Sequence, residues 1–164
     1  MLSKNVLTAM NEQVNHELFS AYLYLSMAAH FEAINLGGFA SWMRVQAGEE
    51  QEHALKFFDY ILDRGGKVAL QAIDQPTVEF GSPVAVFEEV LAHEQKVTAL
   101  IHKLYELAVK ENDYASQLFL GWFVTEQVEE EKNASSIVDT LKMVGDRGIA
   151  LHRLDHELGE RKAD

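Results

Sequence analysis

The chain is expected to be all-α: an antiparallel four-helix bundle with one long crossover connection and a short fifth helix at its C-terminal end. Three observations lead there. Apolar residues recur at three- and four-residue steps along most of the sequence, with little strand-like alternation. Only two prolines occur, Pro76 and Pro83. Glycines at 37–38, 65–66, 81, 145 and 148 fall where the periodicity lapses, as helix ends and turns do.

These marks delimit helices at about 4–34, 38–64, 83–111, 113–143 and 148–160. The first carries an inward stripe of Val6, Met10, Val14, Glu17, Ala21, Tyr24, Ala28 and Phe31, and stops at the Gly37–Gly38 turn. The second carries Phe39, Met43, Ala47, Glu50, Ala54, Phe57 and Ile61. Residues 65–82 form a connection long enough to cross a bundle. Ser82 then reads as an N-cap with Pro83 at the first helical position. The third stripe is Phe87, Val90, Leu91, Glu94, Ile101 and Tyr105. Asp113 caps the fourth helix, whose stripe is Phe119, Phe123, Glu130, Ala134, Ile137 and Leu141. Short turns within each pair make the first two helices, and the third and fourth, antiparallel hairpins.

With 164 residues and 48% hydrophobic content, one domain over 1–164 is the economical reading. The 26 acidic against 14 basic residues give a net charge of −12, which opposes nucleic-acid phosphates and anionic membranes and favours cations. No cysteine is present, so a disulfide, thiolate nucleophile, iron–sulfur cluster or Cys-based zinc site is excluded. The N-terminus is too polar for a signal peptide, and no apolar run approaches the ~20 residues of a membrane span. A soluble, cytoplasmic protein is expected.

The stretch TEQVEEEK at 125–132 places four glutamates beside an apolar segment. On a 3.6-residue helix they point in different directions. Glu130 and Gln127 turn toward the core, Glu126 and Glu129 toward its edge, and Glu131 toward solvent. Each of the other long helices also carries one glutamate at the centre of its inward face: Glu17, Glu50 and Glu94. His53 lies one turn beyond Glu50, and the interval of 33 residues recurs between Glu17 and Glu50 and between Glu94 and Gln127. Ionised carboxylates in an apolar interior must be protonated, paired with cations or coordinated to metal. The stripes carry no basic partner, so the combination points to a metal cage rich in oxygen and poor in nitrogen, suited to iron or manganese and admitting zinc. Glu49 sits at the same edge of its helix as Glu129, so Glu49, Glu126 and Glu129 form a candidate for a looser, further site.

The stretches NEQVNHELFSAYLYLSMA (11–28), GFASWMRVQAGEEQEHALKFFDYI (38–61), HEQKVT (93–98) and FLGWFVTEQVEEE (119–131) closely resemble the prokaryotic non-haem ferritins, and the likeness spans essentially the whole chain. The resemblance implies a ferroxidase that binds two Fe(II) ions within one subunit, oxidises them to Fe(III) with dioxygen or hydrogen peroxide, and passes the product to a mineral inside a shell of twenty-four subunits. It assigns Glu17, Glu50 and His53 to the first iron, with Glu50 bridging, and Glu94, Gln127 and Glu130 to the surroundings of the second, Gln127 as a near or weak ligand. It assigns Glu49, Glu126 and Glu129, with Glu130 shared, to a third iron site. Tyr24 and Trp122 become candidates for supplying an electron to bound oxygen.

Gln127-x-x-Glu130 stands where haem-containing bacterioferritins and many other di-iron proteins have a second Glu-x-x-His, so an asymmetric pair is implied. Gln51 stands where those proteins have the methionine that ligates haem, so no haem is expected. Phe19, Tyr22 and Leu23, with Val124 and Val128, lie off the core stripes and are expected to leave apolar surface for neighbouring subunits. Leu151, Leu154 and Leu158 of the last helix would line fourfold axes by resemblance. His152 and His156, one turn apart on it, read as exposed histidines. The competing reading is a soluble di-iron peroxidase or oxidase without mineral storage, although the rubrerythrin kind needs cysteines for its electron-transfer domain.

Overall fold

The computed structural model describes residues 1–162, so the last two positions of the expected 1–164 domain lie outside the described residues. Five helices follow in order: α1 (Lys4–Ala33), α2 (Gly37–Asp63), α3 (Pro83–Lys110), α4 (Tyr114–Val144) and α5 (Gly148–Leu158), with no strand among the described residues. Each boundary falls within two residues of the expected one.

Local chemistry explains where the helices begin and end. Ser3, Ser82 and Asp113 accept hydrogen bonds from the backbone N–H groups of Val6, Ala85 and Ser116, at 3.2, 3.4 and 3.1 Å. Each satisfies a donor that the first turn leaves unpaired. Asn35, Gly65 and Asn112 take left-handed φ values of 60°, 70° and 54° just beyond α1, α2 and α3. The residue after each then donates back into the helix: Leu36 to Phe31, Gly66 to Ile61, and Asp113 to Ala108.

Asp113 also holds Arg64 of the α2 C-cap through two nitrogens, at 3.0 and 3.1 Å. Burial pushes the Asp113 carboxyl up, but the hydrogen bonds from Arg64 and Ser116 outweigh it and the net direction is downward. Asp113→Ala is expected to cost about 1–2 kcal/mol through the lost cap and ion pair. Because the folded pKa is depressed, that contribution is present above the ordinary aspartate range and is lost as pH falls through the lowered value. Urea unfolding of both proteins at about pH 7 and about pH 3 checks this, the gap narrowing at the lower pH.

The connection 64–82 runs alongside α1. Asn11 anchors its start, donating to the Lys67 carbonyl (3.2 Å) and accepting from Ala69 N–H (2.7 Å), and Ser26 donates to the Thr77 carbonyl (2.6 Å) further on. Asn11 and Ser26 are separated by ~22 Å of helix, so the connection carries the chain back along the bundle. Cross-helix pairs give the directions: Asn5 bonds Glu111 while Tyr24 bonds Glu94, making α1 and α3 antiparallel, and Phe57 stacks on Phe123 while Gln46 bonds Glu130, making α2 and α4 antiparallel.

The core divides into two apolar clusters. One gathers Met27, Phe31, Phe39, Trp42, Phe87, Val138 and Leu141, and the other Val6, Met10, Phe57, Ile61, Ile101, Leu120 and Phe123. On every long helix the residues between the two clusters include the central glutamate. Leu23, expected at the surface, is buried in the first cluster. Helix α1 packs against both α2 and α3, so its buried face is wider than a single stripe. Phe19 and Val124 pack partly against the core, whereas Tyr22 and Val128 are exposed as expected.

Helix α5 closes one end of the bundle against α2, with Leu151 and Leu154 buried and Leu158 packed against them. Its Asp155 does for α2 what Leu36, the residue at the α2 N-cap, cannot: Oδ1 accepts the Phe39 N–H at 2.9 Å. No helix among the described residues is long and apolar enough to cross a membrane.

Candidate metal centre

The layer between the two clusters is polar and closed to solvent. Glu17 of α1, Glu50 and His53 of α2, Glu94 of α3, and Gln127 and Glu130 of α4 meet there, none more than 6% exposed. The i, i+3 spacing puts His53 one turn from Glu50 on the same face, with Nδ1 3.7 Å from Glu50 Oε2. One potential ligand atom from each of Glu17, Glu50 and His53 lies within 4.8 Å of the others.

Neutral donors orient the carboxylates. Gln13 Nε2 donates to Glu17 Oε1 at 2.8 Å. Gln46 Nε2 bridges two helices, donating to Glu130 Oε2 at 2.8 Å and to Glu50 Oε1 at 3.3 Å. Gln127 Nε2 donates to Glu94 Oε2 at 3.1 Å, to the Glu94 carbonyl at 3.2 Å and to Thr98 Oγ1 at 3.3 Å. The buried Tyr24 hydroxyl donates to Glu94 Oε1. Glu17 Oε2 is buried with no hydrogen-bond partner.

Sequence reading missed Gln13, Gln46 and Thr98. The signal for the two glutamines was available, since each precedes an inward glutamate by four residues and therefore lies on its face.

Electrostatics follow from this crowding. Burial pushes the Glu17 and Glu50 carboxyls well above their ordinary range, and the charge of Glu50 adds to the effect on Glu17 as those of Glu94 and Glu130 do on Glu50. Burial also raises Glu94, against hydrogen bonds from Tyr24 and Gln127 that lower it. Glu130 is raised to about 7 by burial and by the charge of Glu94. Tyr24 is raised well above its ordinary value, first by burial and then by Glu94. Burial thus favours the protonated carboxyls in a metal-free layer, and a bound cation would favour the carboxylates instead.

Around the layer the acidic residues part company. Glu126 places Oε1 3.9 Å from His53 Nε2. Glu49 is half-buried and accepts from Arg161 at 2.5 Å. Glu129 is exposed on α4. Glu131, expected in solvent, is half-buried and accepts the Thr98 hydroxyl at 2.6 Å, because α3 lies close enough on that side to supply a donor. The Trp122 and His53 rings meet at 76° with their centres 5.4 Å apart, and Lys56 Nζ lies over the Trp122 ring at 4.3 Å.

Residues 7–144 match the family model described as a ferritin-like domain. The bacterial non-heme ferritin of Bacteroides fragilis (strain 638R) is 45% identical over 161 residues, which is 98% of this chain and 100% of the relative. That of Staphylococcus aureus (strain USA300) is 42% identical over 164 residues, 100% and 99% of the two chains.

The chain belongs to the ferritin-like family.

Solved structures agree with that placement. An open pore ferritin from the hyperthermophilic archaeon Archaeoglobus fulgidus superposes with a TM-score of 0.97 at 49% identity, covering 99% of this chain and 100% of that one. A closed form of the Archaeoglobus fulgidus ferritin, engineered by site-directed mutagenesis, gives a TM-score of 0.98 at 49% identity over the full length of both. In this ferritin-like chain the donor chemistry fits a hard or borderline cation. Glu17, Glu50, Glu94 and Glu130 supply oxygen, and His53 a single imidazole, which suits iron and tolerates zinc. The unpartnered Glu17 Oε2 is what such a cation would satisfy.

Proposed function

We propose that this chain stores iron, and that it does so as a ferroxidase: Fe(II) enters the buried layer, is oxidised to Fe(III) with dioxygen or hydrogen peroxide as acceptor, and leaves for a ferric mineral. One observation carries the reading. Four glutamates from four helices converge in a sealed layer with no lysine or arginine among them, and one of their buried oxygens is unpaired. A fold selected only for stability would replace such a layer with apolar side chains.

In this reading Glu17 and His53 hold one Fe(II), Glu94 and Glu130 hold the second, and Glu50 lies between them. Gln127 directs its N–H donors at Glu94, so it acts on the second position by orienting that carboxylate. Tyr24 hydrogen-bonds the same carboxylate and Trp122 lies against His53, placing both aromatics one residue from the reacting ions. Glu49, Glu126 and Glu129, with Glu130 shared, would supply the outer, third position. Hard carboxylates bind Fe(III) more tightly than Fe(II), so the ligand set itself favours oxidation.

The relatives are named non-heme ferritins, and we extend from them an iron-handling shell, a 24-mer, for this chain. Tyr22, Leu118, Val128 and Ile149 are exposed apolar side chains that contacts between copies would cover. The whole chain acts as one domain in a cytoplasmic setting, with neither nucleic acid nor membrane as partner.

Stopped-flow oxidation of Fe(II) tests the assignment. Glu130→Ala is expected to lower the initial rate at least about tenfold through loss of a ligand. Glu131→Ala reaches the site only through Thr98 and Gln127, and its loss should be no more than a few-fold. Equal losses in both variants would reject the assignment of faces on α4.

A further inference from the structure

Arg161 follows α5 and returns to the edge of the buried layer. Its guanidinium makes three contacts with α2: Nη1 donates to Gln46 Oε1 at 2.8 Å, Nη2 donates to Glu49 Oε2 at 2.5 Å, and the plane lies 4.5 Å from the centre of the Trp42 ring. Arginine only donates, so the Gln46 oxygen must face it. The Gln46 NH2 group then points inward, to Glu130 and Glu50. Gln46 is fully buried, which leaves its amide few other ways to be satisfied.

The same guanidinium occupies a carboxylate oxygen of Glu49 in a setting where both side chains are only 21% and 15% exposed. A divalent cation at the outer position would need that carboxylate and would be repelled by the arginine. The two compete for Glu49.

We propose that Arg161 is a positioning residue of the metal centre, which withholds Glu49 from the outer, third metal position while fixing the Gln46 amide toward Glu50 and Glu130. This rests on the reading of Glu49, Glu126 and Glu129 as a third position. It assigns the C-terminal segment a task beyond closing the bundle: the tail sets how readily the outer position fills.

The test uses Zn(II) alone, which binds without oxidation, on the assembled full-length protein by equilibrium dialysis and elemental analysis. Arg161→Gln is expected to bind its weakest Zn(II) equivalent about tenfold more tightly than wild type, since no guanidinium must be displaced. Adding Glu49→Gln to that variant should abolish the gain. A tighter site cannot come from mere structural damage, which would weaken binding. Equal affinity of the weakest equivalent in wild type and Arg161→Gln overturns the proposal. A failure to detect any outer equivalent in either protein at saturating Zn(II) overturns the third-position reading and the proposal with it.

Should Arg161→Gln not assemble, the same claim is read from Trp42, made the only tryptophan by Trp122→Phe. Its emission should shift as the outer equivalent binds and the guanidinium leaves the ring. An emission unchanged through that step overturns the proposal.

Discussion

Glu50→Gln is expected to slow Fe(II) oxidation at least about a hundredfold and at the same time to make the metal-free protein more stable, by about 1–2 kcal/mol. Both effects have one cause. Glu50 is buried between Glu17, Glu94 and Glu130, and no lysine or arginine is among the buried side chains around it. The amide keeps the shape of the side chain and can still accept from Gln46, but it removes a carboxylate from the centre of the layer and with it the oxygens shared between the two proposed iron positions.

The pH dependence has a definite sign. Burial raises the Glu50 pKa well above the ordinary range and that of Glu130 to about 7. For a raised folded-state pKa, the stability contributed is complete below the ordinary carboxylate value and is lost as pH rises through the folded value. The metal-free protein should therefore lose stability between about pH 5 and about pH 7.5, and Glu50→Gln should flatten that decline. Thermal unfolding after chelation, at several pH values, reads both. A variant less stable than wild type at every pH would contradict the description of the layer as a set of mutually repelling buried carboxylates.

Gly38→Ala should be the most damaging single methyl group in the chain, costing about 2–3 kcal/mol. A Cβ at Gly38 would lie 1.6 Å from the carbonyl oxygen of Asp155 and 2.4 Å from its carbonyl carbon. Neither can yield without moving the α5 backbone, and Gly159 approaches the same point. The Asp155 cap on Phe39 and the packing of Leu151 and Leu154 would go together. Gly37→Ala is the internal control, since nothing lies within 4 Å of its Cβ. It should be neutral or slightly stabilising in chemical denaturation, as glycine-to-alanine changes in helices are.

The helices were legible because their signals are local. Periodicity, Ser82–Pro83 and Asp113 each act within a few residues, and the structure uses them where they occur. Gly65 likewise ends α2, but Gly37 and Gly38, expected as the turn after α1, form the first turn of α2, and Asn35 takes the left-handed φ instead. The inward glutamates were legible for a related reason: a charge on an apolar stripe is a contradiction that only a few arrangements resolve. The fates of the outer acidic residues were not legible. Whether Glu131 meets water or Thr98, and whether Glu49 meets Arg161, depends on which helix or tail lies opposite, and nothing in the spacing along one helix encodes that. Leu23 was misplaced for the same reason. The α5 seat was equally hidden, because the cap on Phe39 comes from a residue far along the sequence.

In the proposed function the buried layer oxidises iron, which the assembled protein then keeps. Size-exclusion chromatography after aerobic loading with Fe(II), with iron and protein measured across each fraction, tests it most directly. The expected result is one large, hollow-shell-sized species whose iron content per chain far exceeds what the side chains of the layer could coordinate. A small species carrying no more iron than the layer can ligate would contradict storage, and one that binds no iron and leaves Fe(II) oxidation at its background rate would contradict the metal centre itself.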